Sequence, residues 1–283
     1  MLVLALVTVL GWLGARIARS DDDGKTATRT TERPPPRRKP RLVRPLRIIF
    51  PEGFTRKQMA ERIAAVNEIA RRRRGLRTRL SPATYLRLTA RSRFPRTFPG
   101  AGTTRSLEGF LFPALYEFTP TTTTRQLVAK QLEAFRANWR KVDLRYARSK
   151  NLTAYDVLII ASMIEEEVAA PEERKLVAAV IYNRLKHGMT LGIDATIRYG
   201  LDVPPTESLR QSQLENPTPY NTRLHPGLPP TPITNPGLAS IRAAAHPARK
   251  SYLFYVRKPD KVHHFFTASE RAFLQYQRQH GYR

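Results

Sequence analysis

The 283-residue sequence contains no cysteine. That excludes disulfides, thiol nucleophiles and cysteine-based metal sites. Its six histidines, at 187, 225, 246, 263, 264 and 280, form no HExxH pattern, and neighbouring His263 and His264 would point to opposite faces of a strand. Neither a metal nor a cofactor is expected. No GxSxG surrounds Ser162, and no phosphate loop or dinucleotide fingerprint occurs. Helix-turn-helix, RRM and KH signatures are missing, as are internal repeats. Acidic residues are scarce, 23 against 49 Lys and Arg, for a formal net charge of +26. Such a charge favours an anionic partner: nucleic acid, anionic lipid or anionic cell-wall polymer. Much of the excess lies in "RPPPRRKPRLVRPLR" and "RRRRGLRTR" in the first half.

Long apolar stretches are few. One opens the chain, "MLVLALVTVLGWLGARIA". About 18 helical residues span roughly 27 Å, slightly short of the ~30 Å hydrocarbon core of a bilayer. No basic segment precedes it, so a cleaved signal peptide is poorly supported. The expectation is a membrane anchor over residues 1–19, clipped at its start. Arg16 and Arg19 oppose export by the positive-inside rule, and further upstream basic residues would reverse that balance. Residues 20–43, rich in Pro and Arg, read as an extended linker.

Hydrophobic residues make up 41% of the chain, enough for a folded core. Folded sequence begins near residue 44. Leu46 to Phe50 read as a strand, Pro51-Glu52-Gly53 as a turn, and Thr55 with Gln58 as a capping box. Met59, Ile63 and Val66 recur at helical spacing, and Ser81-Pro82 opens a second helix. "SLEGFLFPALYEF" suits a strand with a bulge or tight loop. A helix from about Thr124 aligns Val128, Leu132, Phe135 and Trp139 in a core stripe. Thr153 with Asp156 caps "TAYDVLIIASMIEEE", and Pro171 separates it from "EERKLVAAVIYNRLKHG". After a Pro-rich region come a short helix, "GLASIRAAAHP", two strands around Lys258-Pro259-Asp260, and a last helix capped by Thr267 and Glu270. This order implies an α+β fold. Its expected divisions are an N-terminal region over 44–150 and a catalytic domain over 151–283.

"ASMIEEEVAA" poses the chemical question, because three carboxylates close an almost wholly apolar helix. Helical spacing puts Glu165 in line with Leu158, Ala161 and Val168, an apolar stripe. Glu166 falls nearer Ser162, and Glu167 near Met163 and Ile164. Geometry makes Glu165 a candidate for burial without excluding Glu167. A partly buried carboxyl binds its proton more tightly and can serve as a general acid. The structural alternative is an ion pair from Glu165 or Glu167 to Arg174 or Arg184.

Several separated motifs then read together: "IFPEGFTRKQMAERI", "LEGFLFPALYEF", "ASMIEEEVAAPEERKLVAAVIYNRL", "GMTLGIDATIRYG", "PYNTRLHPGLPPTPITNPGLASIRAAAHP" and "YLFYVRKPDKVHHFFT". In order and spacing, from about Arg44 to Thr267, the chain resembles the YceG-like (MltG) family of endolytic lytic transglycosylases. The resemblance implies a bacterial enzyme of the cytoplasmic membrane, single-pass, with its catalytic domain on the periplasmic or extracellular side. Its implied substrate is the glycan strand of peptidoglycan, with peptidoglycan synthases as further partners and no role for nucleic acid. It also implies a small LysM-like region near residues 44–66 and places the family's catalytic glutamate at Glu165. Glu108, Glu167, Asp194, Tyr220, Asn221, Thr222 and Asn235 are implied to line the glycan groove.

The implied reaction joins muramic acid O6 to its own C1, leaving 1,6-anhydro ends, so one carboxyl suffices. A water-using hydrolase, with Asp194 as the second carboxylate, and a non-enzymatic glycan-binding protein are the alternatives. Asp194, Asn221 and Asn235 could equally organise turns, and Tyr220 could be packing. The chain departs from the family pattern in three places. Ala114 and Leu115 replace the Asp and Thr of "FPDTYEF". Leu191-Gly192-Ile193-Asp194-Ala195-Thr196 replaces "LQSDPT". Ala272 and Phe273 stand near the place of a late His-Asn motif.

Overall fold

The computed structural model describes residues 44–92, 98–101 and 105–282. The expected anchor over 1–19 and linker over 20–43 lie outside the described residues. The first strand, β1 (Leu46–Ile49), pairs antiparallel with β2 (Leu115–Phe118), with Leu46 opposite Phe118 and Ile49 opposite Leu115. The two-residue period sends Leu46, Ile48, Tyr116 and Phe118 inward and leaves Arg47 bonded to Glu117 outside. Of "SLEGFLFPALYEF", only the end is strand. Its beginning is a tight turn at Gly109, whose φ of 84° suits glycine.

Between the strands lie α1 (Arg56–Arg74) and α2 (Pro82–Ala90). The Thr55–Gln58 box starts α1, and Gly75, in the left-handed region, ends it. Ser81 caps α2, with Pro82 in the first turn. After β2 come α3 (Thr124–Trp139), the short α4 (Arg145–Arg148) and α5 (Ala154–Glu167). Phe110, Phe135, Phe98 and Trp139 form an aromatic cluster with ring centres 4.9–6.1 Å apart.

Helix α5 is buried throughout from Val157 to Ile164, as a helix apolar on all sides should be. It is held by the Thr153–Asp156 capping box at one end and stops at Val168, which turns to extended backbone. Packed on or beyond it are a 3₁₀ turn (Pro171–Glu173), α6 (Arg174–Lys186), α7 (Asp194–Leu201), α8 (Gln211–Leu214) and α9 (Leu238–Ala245). Buried Ser162 ties α5 to the Pro-rich loop, its hydroxyl accepting from Ile233 N at 3.0 Å and its carbonyl accepting from Thr234 Oγ1 at 3.2 Å. The chain closes with the hairpin β3 (Phe254–Arg257) and β4 (His264–Thr267), then α10 (Glu270–Gln279).

The cap of α10 differs from expectation. Ser269 accepts from Ala272 N, whereas Thr267 stays in β4 opposite Phe254 and accepts from Ser269 N. The architecture is α+β, with two separate two-stranded antiparallel sheets among the described residues. One hydrophobic core runs from Leu46 to Ala245 without a break at residue 150. No helix of the described residues is long and apolar enough to cross a membrane.

Candidate active site

The last turn of α5 holds Glu165, Glu166 and Glu167 and no basic residue. The helix dipole makes its C-terminal end negative, so each carboxylate there costs about 0.3–1 kcal/mol relative to a neutral residue. Folding alone gives no reason for this arrangement. Compensation for Glu165 comes from outside the helix. Its Oε2 accepts from Gly237 N at 3.0 Å, at the N-cap of α9, where backbone donors are unpaired and the helix end is positive. Glu165 is half-buried.

A second carboxyl meets the same glycine. Glu52, on the Pro51-Glu52-Gly53 turn, rests against Gly237 so closely that a Cβ there would overlap its carboxyl group. Burial, then the nearby charge of Glu165, raises the Glu52 carboxyl above the usual range, with Arg174 acting in the opposite direction.

Glu166 is the most exposed of the three over its full length, yet its carboxyl is tucked under the same turn. A Cβ at Gly53 would come within 3.2 Å of its Oε1. Burial of that end, with the charges of Glu165 and Glu167, pushes it up to about 7. Glu167 is raised by burial, against the hydrogen bond from Tyr255 OH at 3.2 Å. Neither Glu165 nor Glu167 pairs with Arg174 or Arg184, contrary to the ion-pair alternative. Arg174 Nε donates to Ser240 Oγ at 3.2 Å, and Arg184 binds the carbonyls of Leu253, Thr190 and Leu191.

Beside these groups lies an open cavity of about 440 Å³. Thr55, Arg56, Glu108, Glu166, Tyr199 and Thr234 are in its wall. Glu108, 2% exposed, accepts from Arg56 N at 3.0 Å, Asn235 Nδ2 at 2.7 Å and Tyr199 OH at 3.3 Å. Burial outweighs these donors and the Arg56 charge and pushes its carboxyl up to about 8. A larger hollow of about 620 Å³ lies between β1 and α1. It is lined by Arg44, Arg47, Arg73, Arg74 and apolar side chains, with no carboxyl group to deliver a proton.

The remaining expected residues divide into two sets. Tyr220 is half-buried, bonds Thr231 Oγ1 at 2.8 Å and meets Tyr199 edge-on at 5.2 Å. Asp194 opens α7 and pairs with Arg223 at 2.7 Å, both half-exposed, which ties it to another partner than Glu165. Asn221, Thr222 and Asn235 correct the expectation that they face glycan, being 0%, 2% and 0% exposed. Asn221 Nδ2 donates to Leu214 O and Asn216 O, and Thr222 Oγ1 accepts from Ile193 N. Asn235 joins three segments: its Nδ2 reaches Phe54 O and Glu108 Oε1, and its Oδ1 accepts from Leu111 N. Asn235 braces Glu108 in the cavity wall from behind, while Asn221 holds the loop after α8 and Thr222 the start of α7.

Sequence reasoning missed Glu52, Arg56 and Tyr199. Glu52 had a usable signal, an acid between Pro51 and Gly53 in a turn that needs no charge.

Residues 31–279 match the model of the YceG-like family. The chain is 35% identical over 152 residues to an endolytic murein transglycosylase of Bacillus subtilis, covering 54% of this chain and 42% of that protein. It is 30% identical over 225 residues to the protein of that name in Streptococcus pneumoniae, covering 74% and 40% respectively. It thus spans about two fifths of the length of these curated relatives. A YceG-like protein of known structure from Listeria monocytogenes superposes with a TM-score of 0.65 at 29% identity, over 83% of this chain and 76% of that one. The match over most of its length establishes that the chain belongs to the YceG-like family.

Proposed function

We propose that the protein is an endolytic murein transglycosylase that cleaves the MurNAc–GlcNAc bond of peptidoglycan strands and leaves 1,6-anhydro-MurNAc ends. The observation that carries this reading is the half-buried Glu165, which meets Glu52 at Gly237 and adjoins Glu166 in the wall of a carboxyl-lined cavity. The names of the relatives support it.

In the reaction, Glu165 in its acid form gives its proton to the bridging oxygen as the bond from that oxygen to muramic acid C1 breaks. The resulting carboxylate takes the proton of the muramic acid 6-hydroxyl as O6 bonds to C1. The acid is regenerated, and no water enters. Ring closure is intramolecular, so the nucleophile acts at high effective concentration. A hydrolase needs a second carboxylate about 5–10 Å from the first to direct water or attack C1. Asp194, the expected candidate, pairs with Arg223, and Glu52 lies near Glu165 at Gly237, so the mass of the products separates the two reactions.

In this reading Tyr220, Glu108 and Glu167 flank the bound glycan, and the region near residues 44–66 is a reduced LysM-like element. Residues 1–19 anchor the chain in the cytoplasmic membrane with the catalytic part outside. Cutting nascent strands near synthases would set their length. The test is mass spectrometry of purified sacculi treated with the full chain. The expected products are anhydro-muropeptides, lighter by one water than hydrolysis products. Glu165→Gln should lower their release by at least about 100-fold with the fold retained, the scale of losing a general acid. Normal release by that variant, or products bearing the added water, would overturn the proposal.

A further inference from the structure

We infer that Glu52 is a positioning residue for Glu165: the two carboxyl groups, brought together at Gly237 by separate parts of the chain, act as a pair that holds one proton at the reacting bond. This rests on the proposed transglycosylase reading for its catalytic meaning, though not for the existence of the pair.

The geometry has three parts. Glu165 Oε2 accepts from Gly237 N at 3.0 Å. The Glu52 carboxyl lies against the same glycine, in space that any side chain at 237 would fill. The turn carrying Glu52 is fixed from both sides, since Gly53 N donates to Asn235 O at 3.0 Å and Asn235 N donates to Phe54 O at 3.1 Å. Its underside is in contact with α5, where a Cβ at Gly53 would lie 3.8 Å from Glu165 Cγ. These bonds fix the turn that carries Glu52, an exposed residue whose carboxyl reaches over Gly237.

The charged surroundings favour a shared proton. Near the pair are Glu166 from α5, which feels the charge of Glu165, and Arg174 from α6, which acts on Glu52; Glu167 is turned to Tyr255. The first turn of α9, Leu238 to Ile241, brings no titratable group. Arg174, with Nε turned to Ser240, is the single cation acting on Glu52 among these. Two carboxylates so placed do not both ionise readily; the first proton leaves easily and the second late. Such a pair suits a reaction in which one carboxyl must first give a proton and then recover another. In such a pair an ionised carboxyl favours retention of the proton by its neighbour before bond cleavage and return of a proton afterwards.

Two measurements on the full chain decide the matter. In NMR titrations with side-chain-labelled glutamate, Glu165→Gln is expected to lower the titration midpoint of Glu52, and Glu52→Gln that of Glu165, each by at least about half a pH unit. Midpoints that ignore the partner's substitution would overturn the pair. In pH–rate profiles on sacculi, Glu52→Gln should move the alkaline limb to lower pH and keep the rate at the optimum within about tenfold, with the protein folded across the range. Glu52→Asp should restore the limb in part. A rate lowered equally at every pH would mean a structural role only and overturn the inference. If the wild type releases no anhydro-muropeptides, the transglycosylase reading fails, while the NMR titration still judges the pair.

Discussion

Glu108 shows how one buried side chain can set the pH response of the whole fold. Its carboxyl ionises near 4.5 in the unfolded chain and at about 8 in the folded one. Between those values the folded state binds the extra proton. Its contribution to stability is full below about pH 4.5 and is lost as the pH rises through about 8. Glu52, Glu166 and Glu167 are shifted the same way and add the same sign. The thermal midpoint should fall from pH 5 to pH 8, and Glu108→Gln should flatten that fall, a difference on the order of 1–2 kcal/mol. Calorimetry across the range would check it, and an unchanged slope in the variant would remove Glu108 as the cause. At this scale the sequence was partly legible. A carboxylate on an apolar helix pointed to α5, because helical spacing is local. Glu52 escaped, because its meaning lies in Gly237 and Glu165, which only the folded chain brings near it.

At the scale of elements, three side-chain-capped helix starts were legible, while the caps of α3 at Thr123 and of α10 at Ser269 were not. Thr55 with Gln58, Ser81 and Thr153 with Asp156 all accept the bonds their spacing promised. Helix α7 gave no such signal: Ile193 precedes it and makes no side-chain cap. Its ends are set by tertiary contacts, Ile193 N donating to Thr222 and Asp202 turning left-handed at φ 53°. The cleft is likewise an arrangement of elements, and Asn235 is its junction. Asn235→Ala would leave Leu111 N without its acceptor and take one donor each from Phe54 O, which keeps Asn235 N, and from Glu108, which keeps Arg56 N and Tyr199 OH. Unfolding in urea should register a loss of about 2–4 kcal/mol, more than one exposed hydrogen bond can give. Gly109→Ala should be costly for another reason. Its φ is 84° and the added Cβ would lie 2.7 Å from Pro232 and 3.2 Å from Leu158, jamming the turn against α5. A loss of at least about 1–3 kcal/mol is expected in the same assay.

For the molecule as a whole, the dominant quantity is the formal charge of +26. It says little about the fold and much about partners. Binding to sacculi, measured by co-sedimentation, should weaken by at least about fivefold as salt rises from about 0.05 to about 0.5 M, because screening shortens the reach of exposed arginines. Affinity independent of salt would show that the cleft alone governs capture. The pairing of β1 with β2, and of the Glu52 turn with Gly237, has a consequence in time. The carboxyls at 52 and 165 meet on a glycine at 237, so a growing polypeptide lacks the assembled centre until that stretch has emerged. Synthesis order thus sets the earliest moment at which this carboxyl pair can form, once residue 237 has been made.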